Sequence, residues 1–248
     1  MIRRPLDTQS NVPLYKEVER EIMQSLARGE WKPGDRLPSE PDLAERFGVA
    51  VFTLRAGIQK LVDSGVLLRR QGKGTFVALH SVRPLRNQYL RIYSNDGHKA
   101  VWDRELIHVE RGRATDDVAE ILQLGPGGPD RTVFEVLFLL KNEGGTVAFV
   151  ESKLVRKLFS HVTESALRTA TGNLYGVFQE KFGVNVIRID EQVRAVKAGK
   201  TAARWLDIDA GEPMLRIERV AYTYNDVPVE FRTYNVRADS YYYFSSPA

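Results

Sequence analysis

The chain contains no cysteine among its 248 residues, which excludes disulfide bonds, thiolate metal ligands and cysteine nucleophiles. Histidine is also scarce. The four histidines, none of them paired at the four-residue spacing of ligands on one helix, are His80, His98, His108 and His161. We therefore expect neither a metal ion nor any other cofactor.

Long apolar runs are missing as well. No stretch approaches the roughly 18 uninterrupted apolar residues that a membrane helix requires, and the first ten residues lack the apolar core of a secretory signal. These absences predict a cytoplasmic protein with no membrane partner.

Known catalytic motifs are absent too. We find no Gly-x-Ser-x-Gly elbow, no Walker loop, no His-Glu-x-x-His zinc motif and no dinucleotide glycine fingerprint. The paired acids Asp116 and Asp117 stand at a predicted helix start, where the helix dipole and capping explain them. The sequence therefore predicts a protein that is not an enzyme.

The net charge of +4 indicates little by itself, but the distribution of charge indicates more. Between residues 55 and 73 the cationic residues face a single acid, Asp63. These cations are Arg55, Lys60, Arg69, Arg70 and Lys73. Such a local basic stripe attracts phosphates, although an ordinary solvated face has a similar composition.

The first eighty residues carry three short helical patterns. Gly29 ends the first, Ser39 with Asp42 indicates the start of the second, Gly48 ends it, and Ser64-Gly65 ends the third. The apolar positions of the first and third helices are Leu14, Val18, Ile22 and Leu26, and Leu54, Ile58, Leu61 and Val62. Two short helices joined by a tight glycine turn are typical of a helix-turn-helix.

A predicted hairpin follows the third helix. Two short β-prone runs flank residues 71–74, whose glycines permit the positive φ angles of a hairpin tip. Such a cationic hairpin suits a DNA backbone or minor groove, while the preceding helix suits the major groove. Arg55 is the first candidate for a DNA contact, and a solvated surface position is the alternative for each candidate. The full set is Ser39, Thr53, Arg55, Arg69, Arg70, Gln71, Gly72, Lys73 and Gly74.

The order of these residues strongly resembles the GntR family of bacterial regulators, which carry a winged helix-turn-helix. The shared elements, in order and at family spacing, are Pro13-Leu14-Tyr15, Pro33-Gly34, Leu37-Pro38-Ser39-Glu40, Gly48-Val49, Thr53-Leu54-Arg55 and Gly72-Lys73-Gly74-Thr75-Phe76-Val77. The resemblance implies that this part of the chain binds double-stranded operator DNA, as a homodimer on an inverted repeat.

Three positions depart from the family pattern. Members usually carry arginine after the Ser-Glu pair and Ser-Arg at the start of the recognition helix, whereas this chain has Pro41, Ala50 and Val51. Each lost bidentate contact removes roughly 1 to 3 kcal/mol of base discrimination. We therefore expect an operator unlike the family's common one, or binding that depends more on the hairpin. A ligand-sensing protein with impaired DNA reading is the alternative.

The composition changes after the hairpin. Residues 79–90 are polar, and their apolar residues follow neither the helical nor the strand period. They therefore indicate a linker between a DNA-binding domain at 1–78 and a second domain at 91–248. The second domain is predicted to be an α+β antiparallel sheet with helices over one face. The expected strands are residues 104–111, 131–141, 146–154, 184–197, 213–224 and 227–237, with turns at 142–145 and 225–226 and helix caps at Thr115, Asn173 and Thr201.

This half resembles the UTRA effector domain of the histidine-utilisation-repressor-like (HutC) subgroup, which has a chorismate-lyase-like fold. The markers are Leu174-Tyr175, Phe182-Gly183-Val184, the strand at 189–196, Leu215-Arg216-Ile217-Glu218-Arg219, Pro228-Val229-Glu230 and Arg237-Ala238-Asp239 with Tyr241. The resemblance implies dimerisation and a small-molecule pocket on the sheet. Candidate pocket residues, each with a structural role as its alternative, are Tyr93, Asn95, Phe138, Leu140, Glu151, Ser152, Tyr175, Glu230 and Arg237.

Two of these positions bear on the chemistry of the effector. Members that respond to sugar phosphates tend to carry Arg-x-Arg where this chain has Phe138 and Leu140, and guanidiniums can hold an anion bidentately. We therefore expect a less charged or partly aromatic effector. Together the resemblances imply a metabolite-controlled transcription regulator. Repression relieved by ligand is the default expectation, an activator is the alternative, and a lyase-like enzyme is a more distant one.

Overall fold

The computed structural model describes residues 12–79, 91–100, 102–126, 131–159, 161–168 and 174–245. The chain divides into two compact units, whose main parts are residues 12–79 and residues 91–223 with 228–245. The predicted linker lies outside the described residues except for its first position, so the predicted domain boundaries stay a prediction. No helix in the described part of the chain is long and apolar enough to cross a membrane.

The first unit consists of three helices followed by an antiparallel hairpin. Its elements are α1 (Leu14–Ala27), α2 (Glu40–Phe47), α3 (Val51–Asp63), β1 (Leu67–Arg70) and β2 (Gly74–Val77). Ser39 caps α2 as predicted, and Gly48 ends it with a left-handed φ of 68°. The predicted winged helix-turn-helix is confirmed.

Close packing of α1 against α3 fixes the orientation of α3. Val18 and Ile22 of α1 and Leu54 of α3 are fully buried. Gly57 permits the approach, because a Cβ atom there would lie 2.7 Å from Val18 Cγ1. The opposite face of α3 is consequently left exposed.

The second unit is built on a six-stranded antiparallel sheet with the strand order β4-β5-β6-β9-β8-β7, and a separate pair joins β3 to β10. Its strands are β3 (Ile92–Ser94), β4 (Asp103–Arg113), β5 (Thr132–Asn142), β6 (Gly145–Val155), β7 (Arg188–Lys197), β8 (Pro213–Tyr222), β9 (Pro228–Arg237) and β10 (Tyr241–Tyr243). All six predicted strands are confirmed as elements. The sequence did not predict β3 and β10, and β7 begins four residues later than predicted.

Four described helices accompany the sheet: α4 (Asp116–Ile121), α5 (Glu164–Arg168), α6 (Leu174–Phe182) and α7 (Lys200–Leu206). Thr115 precedes α4 as predicted, but its side chain makes no capping hydrogen bond. Thr201 is not a cap, because α7 begins after Gly199. The predicted cap Asn173 lies outside the described residues, and α5 was not predicted.

The helices lie against both faces of the sheet, so the prediction of a single covered face was wrong. Phe138 of β5 packs in one core with Phe178 of α6, whereas Leu137 and Leu139 pack in another with Leu206 of α7. The reason is visible in β5, which is apolar on both faces and therefore needs cover on both.

Candidate functional site

The exposed face of α3 combines an aromatic ring with polar groups. Phe52, Arg55 and Gln59 are exposed and stand three and four residues apart, so they share one side of the helix. Thr53 is half-buried beside them. The helix therefore presents both apolar and hydrogen-bonding groups to a partner.

Glu40, at the start of α2, holds two of the predicted DNA-contacting arginines. Its Oε2 accepts a hydrogen bond from Arg55 Nε at 2.5 Å, and its Oε1 accepts one from Arg69 Nη2 at 3.4 Å. Arg69 Nη1 also donates to Gln59 Oε1 at 3.0 Å. The arginine side chains nevertheless remain 63% and 42% exposed. They are thus oriented in advance and still accessible to a phosphate or a base edge.

The hairpin tip has the predicted backbone. Gly72 and Gly74 adopt φ angles of 69° and 107°, and Lys73 N donates to the carbonyl of Arg70 at 2.9 Å. Gln71 and Lys73 are exposed. The Arg70 guanidinium lies 4.7 Å from the Phe76 ring centroid, which orients it along the hairpin.

Three residues of this surface were missed from the sequence, namely Glu40, Gln59 and Arg36. A Cβ atom on Gly74 would lie 3.0 Å from Arg36 Nε, so this arginine adds a cation beside the hairpin tip. The Ser39-Glu40 pair in the sequence was the available indication for Glu40. Ser39 is exposed, but its hydroxyl caps α2 by accepting from Asp42 N at 3.4 Å. The DNA contacts of the predicted set stay predictions.

The start of α3 lacks a capping side chain. Ala50 occupies the N-cap position with φ −65° and ψ 145°, the backbone conformation that capping serines adopt. Ala50→Ser is therefore expected to stabilise the first turn of α3 by about 1 kcal/mol, because its hydroxyl can accept from a free backbone N–H. Native-state hydrogen exchange of the first-turn amides measures the gain.

The matched control for this prediction is Ala56→Ser, within the same helix. A serine there meets no free N–H group, so the substitution should bring no gain in protection. Equal protection by both substitutions would contradict the capping explanation.

A second set of polar side chains is buried between the sheet and α6. We call this set the buried cluster; its members are Ser152, Tyr175, Glu191, Arg219, Glu230, Arg232 and Tyr234. Buried charges are costly unless they are paired, so a cluster of this size inside a sheet domain requires close internal pairing.

Glu230 is the centre of one half of the buried cluster and is fully buried. Its Oε1 accepts hydrogen bonds from Ser152 Oγ and from Arg232 Nε, the latter at 3.0 Å. Its Oε2 has no hydrogen-bond partner among the described residues. Burial raises the pKa of the Tyr175 hydroxyl, and the Glu230 charge raises it further. The cluster thus offers a free carboxylate oxygen and a neutral hydroxyl.

Glu191 is the centre of the other half. Its Oε1 accepts from Arg219 Nε at 2.8 Å, and its Oε2 accepts from Tyr243 OH at 2.7 Å and from Arg91 Nη1 at 3.2 Å. Arg91 is the first described residue after the predicted linker. Hydrogen bonds therefore connect the buried cluster with Arg91, which directly follows the predicted linker.

Of the predicted pocket residues, the structure brings together Ser152, Tyr175 and Glu230. Glu151 is exposed on the opposite face, because adjacent strand residues alternate. Phe138 and Leu140 are buried in the apolar core. The remaining predicted residues lie near β3 and β10: Tyr93 stacks on Tyr242, Asn95 Nδ2 donates to the Asp239 carbonyl, and Arg237 pairs with Asp239.

The buried arginines of the cluster were missed from the sequence. Arg232 stands between Glu230 and Tyr234 at the two-residue period of an inward-facing strand, and this spacing could have indicated it. The sequence indicated Arg219 only as part of the UTRA marker at residues 215–219. Within the described ranges, no group of three or more His, Cys, Asp or Glu side chains could hold a metal ion.

Comparison with known proteins gives two family matches. The model described as "Bacterial regulatory proteins, gntR family" matches residues 14–77, and the model of the UTRA domain matches residues 99–242. A probable fructoselysine utilization operon transcriptional repressor of Escherichia coli (strain K12) is 28% identical over 238 residues, which cover 94% of each chain. A histidine utilization repressor of Klebsiella aerogenes is 42% identical over 66 residues, or 27% of each chain.

A solved structure resembles the second unit. It is the ligand-binding domain of a putative GntR-family transcriptional regulator from Bordetella bronchiseptica, with 29% identity and a TM-score of 0.59. The match covers 65% of this chain and 98% of that one.

Proposed function

Because this chain belongs to the GntR family of bacterial regulators and carries a UTRA domain, we propose that it is a transcriptional repressor whose binding to operator DNA is controlled by a small metabolite. The observation that carries the proposal is the surface formed by α3 and the hairpin, where Glu40 orients Arg55 and Arg69 while both stay exposed. We also propose that the DNA-binding domain ends at residue 78 and that the effector-binding domain begins at residue 91.

The DNA-binding step uses two copies of this surface. In a homodimer, two α3 helices enter successive major grooves of an inverted repeat, and the hairpins follow the flanking backbone. Arg55 and Arg69 contact base edges or phosphates, and Lys73 adds a phosphate contact from the hairpin tip. The proposal includes a cytoplasmic location, where the DNA is, and no catalytic step.

The ligand-binding step uses the buried cluster. The Glu230 carboxylate has one oxygen free to accept a hydrogen bond, and Tyr175 can donate one. Arg219 and Arg232 are each already paired with a carboxylate. A phosphate group on the effector would therefore have to compete with Glu191 and Glu230 for these two arginines. We propose an effector that is rich in hydroxyl or amino groups and carries no phosphate.

Arg91 offers a route from the effector to the DNA-binding half. Arg91 directly follows the predicted linker and donates a hydrogen bond to Glu191. A ligand that shifts the side chains of the buried cluster would change this hydrogen bond. The effector then biases the dimer toward a geometry that does not fit both half-sites.

A metabolite screen on the full chain tests the proposal. Sugars, amino acids and organic acids, each with its phosphorylated derivative where one exists, are first ranked by thermal shift. A ligand at a hundred times its dissociation constant stabilises the protein by about 2.7 kcal/mol. Each hit is then added to the protein bound to duplex DNA from upstream of its own gene. Release of the DNA by an unphosphorylated hit supports the proposal. Hits that leave the DNA bound contradict it.

The buried cluster makes a further prediction for the same assay. Tyr175→Phe should weaken the affinity for the hit about three- to tenfold, because one buried hydrogen bond is lost. The affinity of the Tyr175→Phe variant for duplex DNA in the absence of the hit should stay unchanged. Tyr242→Phe, an exposed tyrosine of β10, is the control and should change neither affinity. Equal losses in both variants would exclude the buried cluster as the binding site.

The departures at Pro41, Ala50 and Val51 keep one alternative in place, a sensor with impaired DNA reading. A protein that responds to a metabolite in the thermal assay and binds no duplex at low salt would indicate this second function.

A further inference from the structure

One apolar side chain on the proposed DNA-binding surface is far more exposed than the other exposed large apolar side chains of the described residues. Phe52, the second residue of α3, is 83% exposed, whereas the other exposed large hydrophobic side chains of the described residues are 36% to 49% exposed. Single exposed apolar residues are common and need no function by themselves. The position of Phe52 on α3 is what gives this ring a function.

Phe52 lies where a recognition helix contacts bases. The N-terminal residues of such a helix meet base edges in the major groove, and Phe52 shares its side of α3 with Arg55 and Gln59. The first turn of α3, residues 51–54, contains no charged side chain. In the proposed complex, the base edges opposite this turn would meet apolar groups and a single hydroxyl, that of Thr53.

We propose, on the basis of the function proposed above, that Phe52 is a specificity-determining residue that packs on the C5-methyl groups of thymines in each half-site. The thymine methyl is the apolar feature of the major-groove edge, and apolar side chains recognise it by contact. Burial of the ring against a methyl group removes apolar surface of both partners from water. Because Val51 stands where the family carries arginine and Phe52 follows it, the first turn of α3 offers apolar groups in place of a guanidinium, which shifts its preference from guanine to thymine.

The surroundings of Phe52 favour DNA over a second copy of this chain as the occupant. Arg55 follows it on the same helix face, and Arg69 and Lys73 are exposed on the adjoining hairpin. Two such cationic faces repel each other, whereas a polyanionic duplex is attracted to them.

The test removes one methyl group at a time. Duplexes bound by the full chain are first selected from a random pool, and each fixed thymine is then replaced by deoxyuridine, which lacks only the C5-methyl group. The wild type is expected to lose about three- to fivefold in affinity at each contacted thymine, the effect of one buried methyl group. Phe52→Ala should bind the thymine and uracil duplexes equally, and Phe52→Leu should retain part of the difference.

Gln59→Ala is the matched control on the same helix face. It should weaken binding to both duplexes alike and leave the thymine-to-uracil ratio unchanged. Equal affinity of the wild type for thymine and uracil at every position would overturn the inference. A change in molar mass by light scattering in Phe52→Ala, with an unchanged ratio, would also overturn it and assign the ring to a contact between copies. Absence of binding to any duplex would overturn the proposed function itself, and this inference with it.

Discussion

Replacing Glu230 with alanine is expected to lower the free energy of unfolding of the second unit by about 3 to 5 kcal/mol. Glu230 is fully buried, and its carboxylate accepts hydrogen bonds from the guanidinium of Arg232, which is also buried. Its removal leaves a buried cation without a counter-charge. Because single domains are stable by only about 5 to 15 kcal/mol, this loss is a large fraction of the total.

Urea unfolding of the full chain, followed by circular dichroism, measures this loss. The double variant Glu230→Leu with Arg232→Leu should regain most of the stability, since apolar residues of similar volume often replace a buried ion pair at little cost. A single variant within about 1 kcal/mol of the wild type would show that the pair is not held as described. If Glu230→Ala does not accumulate as folded protein, recovery of folding in the double variant still tests the pairing.

Replacing Arg55 with alanine is expected to weaken duplex binding about five- to 150-fold, which corresponds to the roughly 1 to 3 kcal/mol of a well-placed base contact. The Arg55 guanidinium is 63% exposed and is oriented by Glu40, so it can bind a base or phosphate without first being ordered. Metabolite affinity should not change, because Arg55 belongs to the first unit. Fluorescence anisotropy with labelled duplex and calorimetry with the metabolite measure the two affinities.

Arg46→Ala is the matched control for Arg55→Ala. Arg46 also pairs with a glutamate of the first unit, Glu30, but it lies at the last turn of α2, outside the α3 and hairpin surface. Its removal should change duplex affinity less than twofold. Comparable losses in both variants would mean that net charge, and not this surface, determines binding.

The fold of the first unit could be predicted because its determinants are local. Apolar spacing, the Ser39 cap and the Gly48 stop each act within a few residues, and the structure has all three. The hairpin tip followed from Gly72 and Gly74, whose positive φ angles other residues rarely adopt. The family motif added the function that these local patterns do not carry.

The buried cluster could be predicted only in part because its contacts are distant in sequence. Ser152 and Glu230 are 78 residues apart, and Arg91 and Glu191 are 100 apart. Alternation along a strand indicates which residues share a face, but it does not give the strand order that places β6 beside β9. Glu151 was predicted to be a pocket residue because the sequence does not show which face of β6 lies inward.

The central claim is that α3 and the hairpin bind duplex DNA, and its most direct test is the salt dependence of that binding. Anisotropy titrations of the full chain use a duplex from upstream of its own gene, between 50 and 200 mM salt. A dimer that makes six or more phosphate contacts should lose about a thousandfold or more in affinity over this range, and Lys73→Ala should flatten the dependence. Absence of salt-sensitive affinity for any double-stranded DNA would contradict the account.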